Sequence, residues 1–139
     1  MTTANQLIPF KEHADRVTCT PNAAVTGKRF VSISADRNAD GTYAIAPSTA
    51  GARALGVAAW DAGIGVKVTV VTVDAGDIVP VKAGTALVAG ASVTSDATGQ
   101  AVAVAGVAGA LVPALGRVMT GCALGADAQI KLSPHAALV

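Results

Sequence analysis

The sequence predicts an all-β fold: a small β-barrel or β-sandwich of short antiparallel strands with an extended N-terminal arm. Apolar and polar residues alternate over short runs, most clearly in residues 66–73 (VKVTVVTV), where Val66, Val68 and Val70 alternate with Lys67 and Thr69. Clusters of Gly, Pro, Asn, Asp and Ser punctuate these runs every few residues, as turns do. Many short strands at such spacing fit a closed or sandwiched sheet.

Residues 1–15 read as an arm. Leu7, Ile8, Pro9 and Phe10 form an apolar plug ahead of the charged KEHADR, and Pro9 disfavours helix at Ile8. Such an arm is frayed unless it is tied down on something else. Residues 16–20 (RVTCT) and 28–34 (KRFVSIS) alternate as strands on either side of the turn-like PNAAVTG. A polar loop, ADRNADG, ends in Asp40-Gly41, a hairpin turn signal, and residues 43–46 form its return strand. After a loop at 47–51 come RALGVAAW (53–60), the turn DAGIG and the strand 66–73. Its alternation slips at Val70-Val71, which points to a bulge or to burial on both faces. Short pieces follow at 78–81, 86–88, 92–94 and 101–105, and residues 107–114 are the best place for a short helical piece. Strands at 116–120 and 128–132 close the body. The chain therefore divides into the arm (1–15), a single β domain (16–132) and a C-terminal tail (133–139). A faint repeat runs through it: Ala54-Leu55-Gly56, a small-residue turn and VKVTV are echoed by Ala114-Leu115-Gly116, another turn and AQIKL. Two similarly built hairpins are expected.

Of the 139 residues 52% are hydrophobic, but only 3% are aromatic and 14% charged, so the apolar content is mostly Ala and Val. Those side chains bury little area each, at roughly 25 cal/mol per Å². A thin core of this kind gains stability by association with copies of itself or with a larger partner. The net charge of +1, without a basic stripe or acidic block, gives no sign of phosphate tracking on nucleic acid or of attraction to an anionic membrane. Residues 97–116 are uncharged and long enough to span a bilayer, yet they hold Gln100, Pro113 and repeated glycines and lack Leu/Ile/Phe density; no membrane span is expected. No secretory signal is visible.

Candidate chemistry is sparse. Cys19 and Cys122 match no metal or redox spacing and read as small buried hydrophobes rather than a bridge, which implies a reducing compartment during folding. His13 and His135 sit in segments expected to be mobile, poor support for catalysis or metal binding. Asp74 and Asp77 flank Gly76, and local backbone hydrogen bonding in a turn accounts for them better than a cation site does. The sole tryptophan, Trp60, reads first as a core plug and second as an interface anchor. The segment VKAGTALVAGASV has the strand-turn pattern of a lipoyl or biotinyl carrier barrel. The corresponding tip, residues 95–99 (SDATG), lacks the lysine that such a carrier needs.

The order and spacing of several segments resemble a known family. Residues 55–61 (LGVAAWD), Gly65 and VKVTV, then Ala83-Gly84, residues 90–93 (GASV), 99–102 (GQAV), 115–118 (LGRV) and 125–132 (GADAQIKL), are similar to the pattern of tailed-phage head decoration proteins, also called capsid cement proteins. The resemblance covers most of residues 16–132. It implies a structural virion protein on the outer surface of an icosahedral capsid, made in the host cytoplasm. It also implies a homotrimer at threefold and quasi-threefold positions that stabilises the shell across seams of the major capsid protein, without catalysis, cofactor or metal. Leu7, Ile8, Pro9, Phe10 and Trp60 are the expected contacts to the capsid or to a neighbouring copy. The alternative is a non-catalytic β-barrel binding module, carrier-like or tail-associated.

Overall fold

The computed structural model describes residues 15–139, so the arm residues Leu7, Ile8, Pro9 and Phe10 lie outside the described residues. The described chain is all-β. Strands β1 (Arg16–Pro21), β2 (Phe30–Ile33), β3 (Tyr43–Pro47), β4 (Gly56–Ala58) and β5 (Val68–Thr72) are followed by a single 3-10 turn, Val73–Ala75. Then come β6 (Ile78–Lys82), β7 (Ser92–Ser95), β8 (Ala101–Ala103), β9 (Leu111–Thr120) and β10 (Asp127–Leu138). The first five close into a barrel in the order β1-β3-β2-β4-β5, and the second five form a sheet in the order β6-β10-β9-β7-β8. The ladders are antiparallel except β1 with β3. Asp40-Gly41 makes the expected hairpin between β2 and β3: Asp40 Oδ1 accepts from the Thr42 amide and hydroxyl at 2.9 and 2.7 Å, and Gly41 takes φ +89°. Those bonds favour the ionised Asp40 carboxyl and hold it below its usual range.

Two expectations fail at the C-terminal side. Residues 107–114 hold no helix; β9 begins at Leu111, and Pro113 is accommodated in the sheet. Residues 133–138, expected as a tail, continue β10, pairing His135 with Ala114 and Leu138 with Leu111 after a register shift past Leu132. Ser133-Pro134 breaks the alternation at that shift, which hides the strand from a period-2 reading.

The faint repeat is the trace of a complete duplication. Each strand of the first barrel has a counterpart in the second sheet with the same partners and register. Gly56 opposes Thr72 as Gly116 opposes Leu132; Val31 opposes Gly56 as Val93 opposes Gly116; Ile33 opposes Ile45 as Ser95 opposes Ala101. Arg16 faces Val71 as Ile78 faces Lys131. The parallel pair Pro21–Ile45 recurs as a parallel bridge between Ala83 and Ala101, which brings the ends of the second sheet together. Even the isolated bridges correspond, Val25–Ala62 with Leu87–Cys122. The counterpart of AQIKL is Val68–Thr72, two positions beyond VKVTV. Gly56 and Gly116 are irreplaceable for one reason: a Cβ would stand 2.0 Å from Val71 O in the first case and 2.3 Å from Lys131 O in the second.

The interiors match position by position while their volumes differ. Ile45 is replaced by Ala101 and Val68 by Ala128, while Ala58 becomes Val118, Val70 becomes Ile130 and Val25 becomes Leu87. Losses at some positions are met by gains at others, which is how close-packed interiors tolerate substitution. The halves are joined at Phe30. It projects from β2 of the first barrel, yet it packs with Val81, Val93, Ile130 and Leu132 of the second and is fully buried. Its amide donates to Gly99 O at 2.8 Å, and Lys82 N donates to Lys28 O at 2.9 Å beside it. Val71, where the alternation slips, faces this second cluster from outside the first barrel. Burial on both faces explains the pattern; β5 has no bulge there.

Cys19 and Cys122 are both free: Cys19 is buried in the first barrel, and Cys122 is only partly buried at the end of the second. Burial pushes the Cys19 thiol up to about 11. The unfolded chain gives up this proton from about pH 9 while the native chain keeps it, so its stabilising contribution is full below pH 9 and is lost as pH rises toward 11. Urea titrations should show stability falling over that range in the parent and less steeply in Cys19→Val. Phe30→Ala should cost about 3–5 kcal/mol by the same measurement.

Candidate interface

The two halves present equivalent hairpin tips. Between β4 and β5 the turn residues 62–66 read AGIGV; between β9 and β10 the equivalent residues 122–126 read CALGA. Each turn is closed by a left-handed glycine, Gly65 at φ +80° and Gly125 at +81°, whose amide donates at 3.0 Å to Pro21 O and to Ala83 O respectively. Only glycine takes such a φ without strain. The turn thereby holds the preceding aliphatic residue outward: Ile64 is 72% exposed and Leu124 69%. Val66 beside the first tip, and Val88 and Met119 at the same end of the second barrel, are also exposed. Neither five-residue turn carries a charge.

A groove of about 470 Å³ between the halves is lined by Lys28, Trp60 and Asp61, at the start of the first turn, on one side and by Lys82, Gly125 of the second turn and Asp127 on the other. Lys28 Nζ bridges it to Asp127 Oδ2 at 2.8 Å, a half-exposed pair worth at most about 1 kcal/mol. Asp61 Oδ1 accepts from the Gly27 amide at 2.8 Å and pins the start of the first turn.

Trp60 is not the core plug of its first reading. Strand β4 ends at Ala58, the next inward position is taken by Ala62 against Val25, and Trp60 lies at the groove edge, half exposed. Its indole N–H donates to Lys67 O at 3.4 Å, a long bond across the turn. Gly27 lets this segment approach, since a Cβ there would stand 2.8 Å from Trp60 Cα. Ile64 and Leu124 were missed by the sequence reading. The signal was present as a single aliphatic residue ahead of a turn glycine in both copies of the repeat.

The remaining candidates resolve into structural roles. Asp77 receives Arg16 at 2.6 Å, while Asp74 sits on the 3-10 turn. His135 is held in β10, contrary to its expected mobility: its Nε2 is 2.8 Å from Ser92 Oγ and its Nδ1 2.7 Å from Ser133 O. With Nδ1–H donating to that carbonyl, Nε2 accepts from the serine hydroxyl. The third partner is a main-chain carbonyl, not the carboxylate of a nucleophilic triad, and the pair latches β10 to β7 across β9. The tip 95–99 is docked on the first half. Gly99 is buried, and Asp96 Oδ1 gathers the Thr98 and Gln100 amides at 2.8 and 2.9 Å. No helix among the described residues is long and apolar enough to cross a membrane, and no three of their His, Cys, Asp or Glu side chains group as metal ligands.

A closed five-stranded barrel followed by a second five-stranded sheet of matching register defines a duplicated all-β body. The chain belongs to the phage cement protein family, whose model matches residues 10–133; it is a capsid-associated structural protein of a bacteriophage. In fold it is similar to the head fiber gp8.5 N base in bacteriophage phi29, with a TM-score of 0.67 and 19% identity over 85% of this chain and 92% of that one. No curated protein matches it in sequence. Because Trp60 is exposed, Trp60→Ala should cost less than about 1 kcal/mol in urea titrations, and the parent's fluorescence should be quenched readily by acrylamide.

Proposed function

We propose that this chain is a decoration protein that binds the outer surface of an icosahedral phage capsid and stabilises it across seams between major capsid subunits. The reading includes a homotrimer at threefold and quasi-threefold positions, with no nucleic acid, membrane or cofactor partner and no catalytic step. The observation that carries it is membership of the cement family, joined to two uncharged turns that expose Ile64 and Leu124. A shell under outward stress gains from added contact across its seams, and modest affinity at each contact is multiplied when one particle bridges several subunits. Trp60 at the groove edge suits such a contact, since tryptophan is over-represented among energetic anchors. Leu7, Ile8, Pro9 and Phe10 are assigned a second contact, to the capsid or to a neighbouring copy, through strand addition or a groove.

Purified protein mixed with expanded heads that lack it should bind in saturable, symmetric numbers and raise their resistance to heat or chelators. Absence of saturable binding would refute the reading. Removal of residues 1–12 should leave a folded body with reduced occupancy on heads; unchanged occupancy would discard the arm contact alone.

A further inference from the structure

From the duplication we infer that each chain carries two equivalent apolar contact points, Ile64 and Leu124, which dock into two equivalent apolar sites on neighbouring subunits of the repeated shell protein. The inference rests on the decoration reading above and adds the residues and the valence. Its basis is a coincidence of form that the fold does not require. The two halves share little sequence, yet both retain a left-handed glycine, a hydrogen bond donated by its amide to Pro21 O at the end of β1 or to Ala83 O just past β6, and an exposed aliphatic residue before it. An aliphatic side chain about 70% exposed contributes little to its own barrel, whose interior is already filled by residues such as Val68 and Val70 or Ala128 and Ile130. Its presence at the same point in both copies calls for a use that both copies share.

The geometry favours joint action. Asp61, which immediately precedes the first turn, and Gly125, which closes the second, line the same groove, so the two turns arise at one end of the molecule. The turns are uncharged across residues 62–66 and 122–126, so the receptor is apolar and not a phosphate or carboxylate array. A ligand with two like contact points matches a partner that offers the same site twice, and a shell built from many copies of one protein does so across every seam. Tethered in one rigid body, the second contact forms at high effective concentration, so paired contacts exceed either alone by about 10²- to 10⁴-fold.

The test uses the full chain and expanded heads of the phage that encodes it, stripped of this protein. Ile64→Asp and Leu124→Asp, each exposed and therefore expected to keep the parent melting temperature, should each weaken binding at least tenfold. The double variant should show no saturable binding, and all three should keep the parent's solution mass. If the parent binds and either single variant binds equally well, the twin-contact inference is wrong while the decoration reading stands. If the variants lose mass in solution instead, the tips join copies of this chain and the inference is also wrong. If the parent itself fails to bind, both readings fall. Ile64→Leu and Leu124→Ile should bind as the parent does; a loss there would mean that the turns were disturbed rather than the contact.

Discussion

The arrangement depends on the burial of Phe30 between the two halves. It is the one aromatic side chain among the largest fully buried residues, and it leaves its own barrel to join the cluster of the other. Two barrels lined by Val, Ala and Ile each enclose little apolar area, so neither gains much from burial alone. Seating Phe30 against Val81, Val93, Ile130 and Leu132, with Val57 and Val73 in the same cluster, commits first-half side chains to the second interior, while Ile45, Val68 and Val70 form a cluster of their own. The main chain follows suit. Gly99 must be a glycine, since its φ is +86° and a Cβ would lie 2.5 Å from Phe30 O; this lets the loop 96–100 lie flat against β2 and accept the Phe30 amide.

From that junction the display of the two tips follows. Once the halves are locked side by side, Asp61 at the start of one turn and Gly125 at the close of the other line one groove, and the glycines at 65 and 125 fix the direction of the residues ahead of them. The exposed apolar end is thus a property of the pair, not of either barrel. The same locking consumes the loop that a carrier domain would display, because the tip at residues 95–99 is spent in holding Phe30. Its Asp96 serves its own turn amides.

Much of the fold was legible from local rules. The alternation in β5 and β10, the Asp40-Gly41 hairpin and the all-β class follow from period-2 patterning and turn chemistry, which act over a few residues. The duplication showed through at Ala54-Leu55-Gly56 and Ala114-Leu115-Gly116 because those glycines press on a partner carbonyl and resist change. Elsewhere it was hidden, since the cores trade volume between positions: Ile45 against Ala101 and Ala58 against Val118 look unrelated one at a time. The second half of β10 was concealed by the shift at Ser133-Pro134, and His135 was misjudged with it. Trp60 admits both an interior and an interface reading from sequence because tryptophan carries a large apolar area. Its position beyond the end of β4 is a matter of register that composition does not encode. Of the interface residues expected from sequence, Trp60 alone falls among the described residues; Ile64 and Leu124 gain meaning once the two turns are superposed.

Matching registers in two halves of one chain carry a hazard during folding. A strand such as β4 finds, in β7 and β10, the same partners that β2 and β5 offer it, and copies of the chain crowded at assembly sites multiply the wrong choices. What separates correct from exchanged pairing is the asymmetry at the seam. Phe30 stands where the other half has Ser92, and the latch from Ser92 to His135 has no equivalent in the first barrel. These unlike residues act as a key that fits in one orientation, so a crossed topology forfeits both the aromatic seat and the latch.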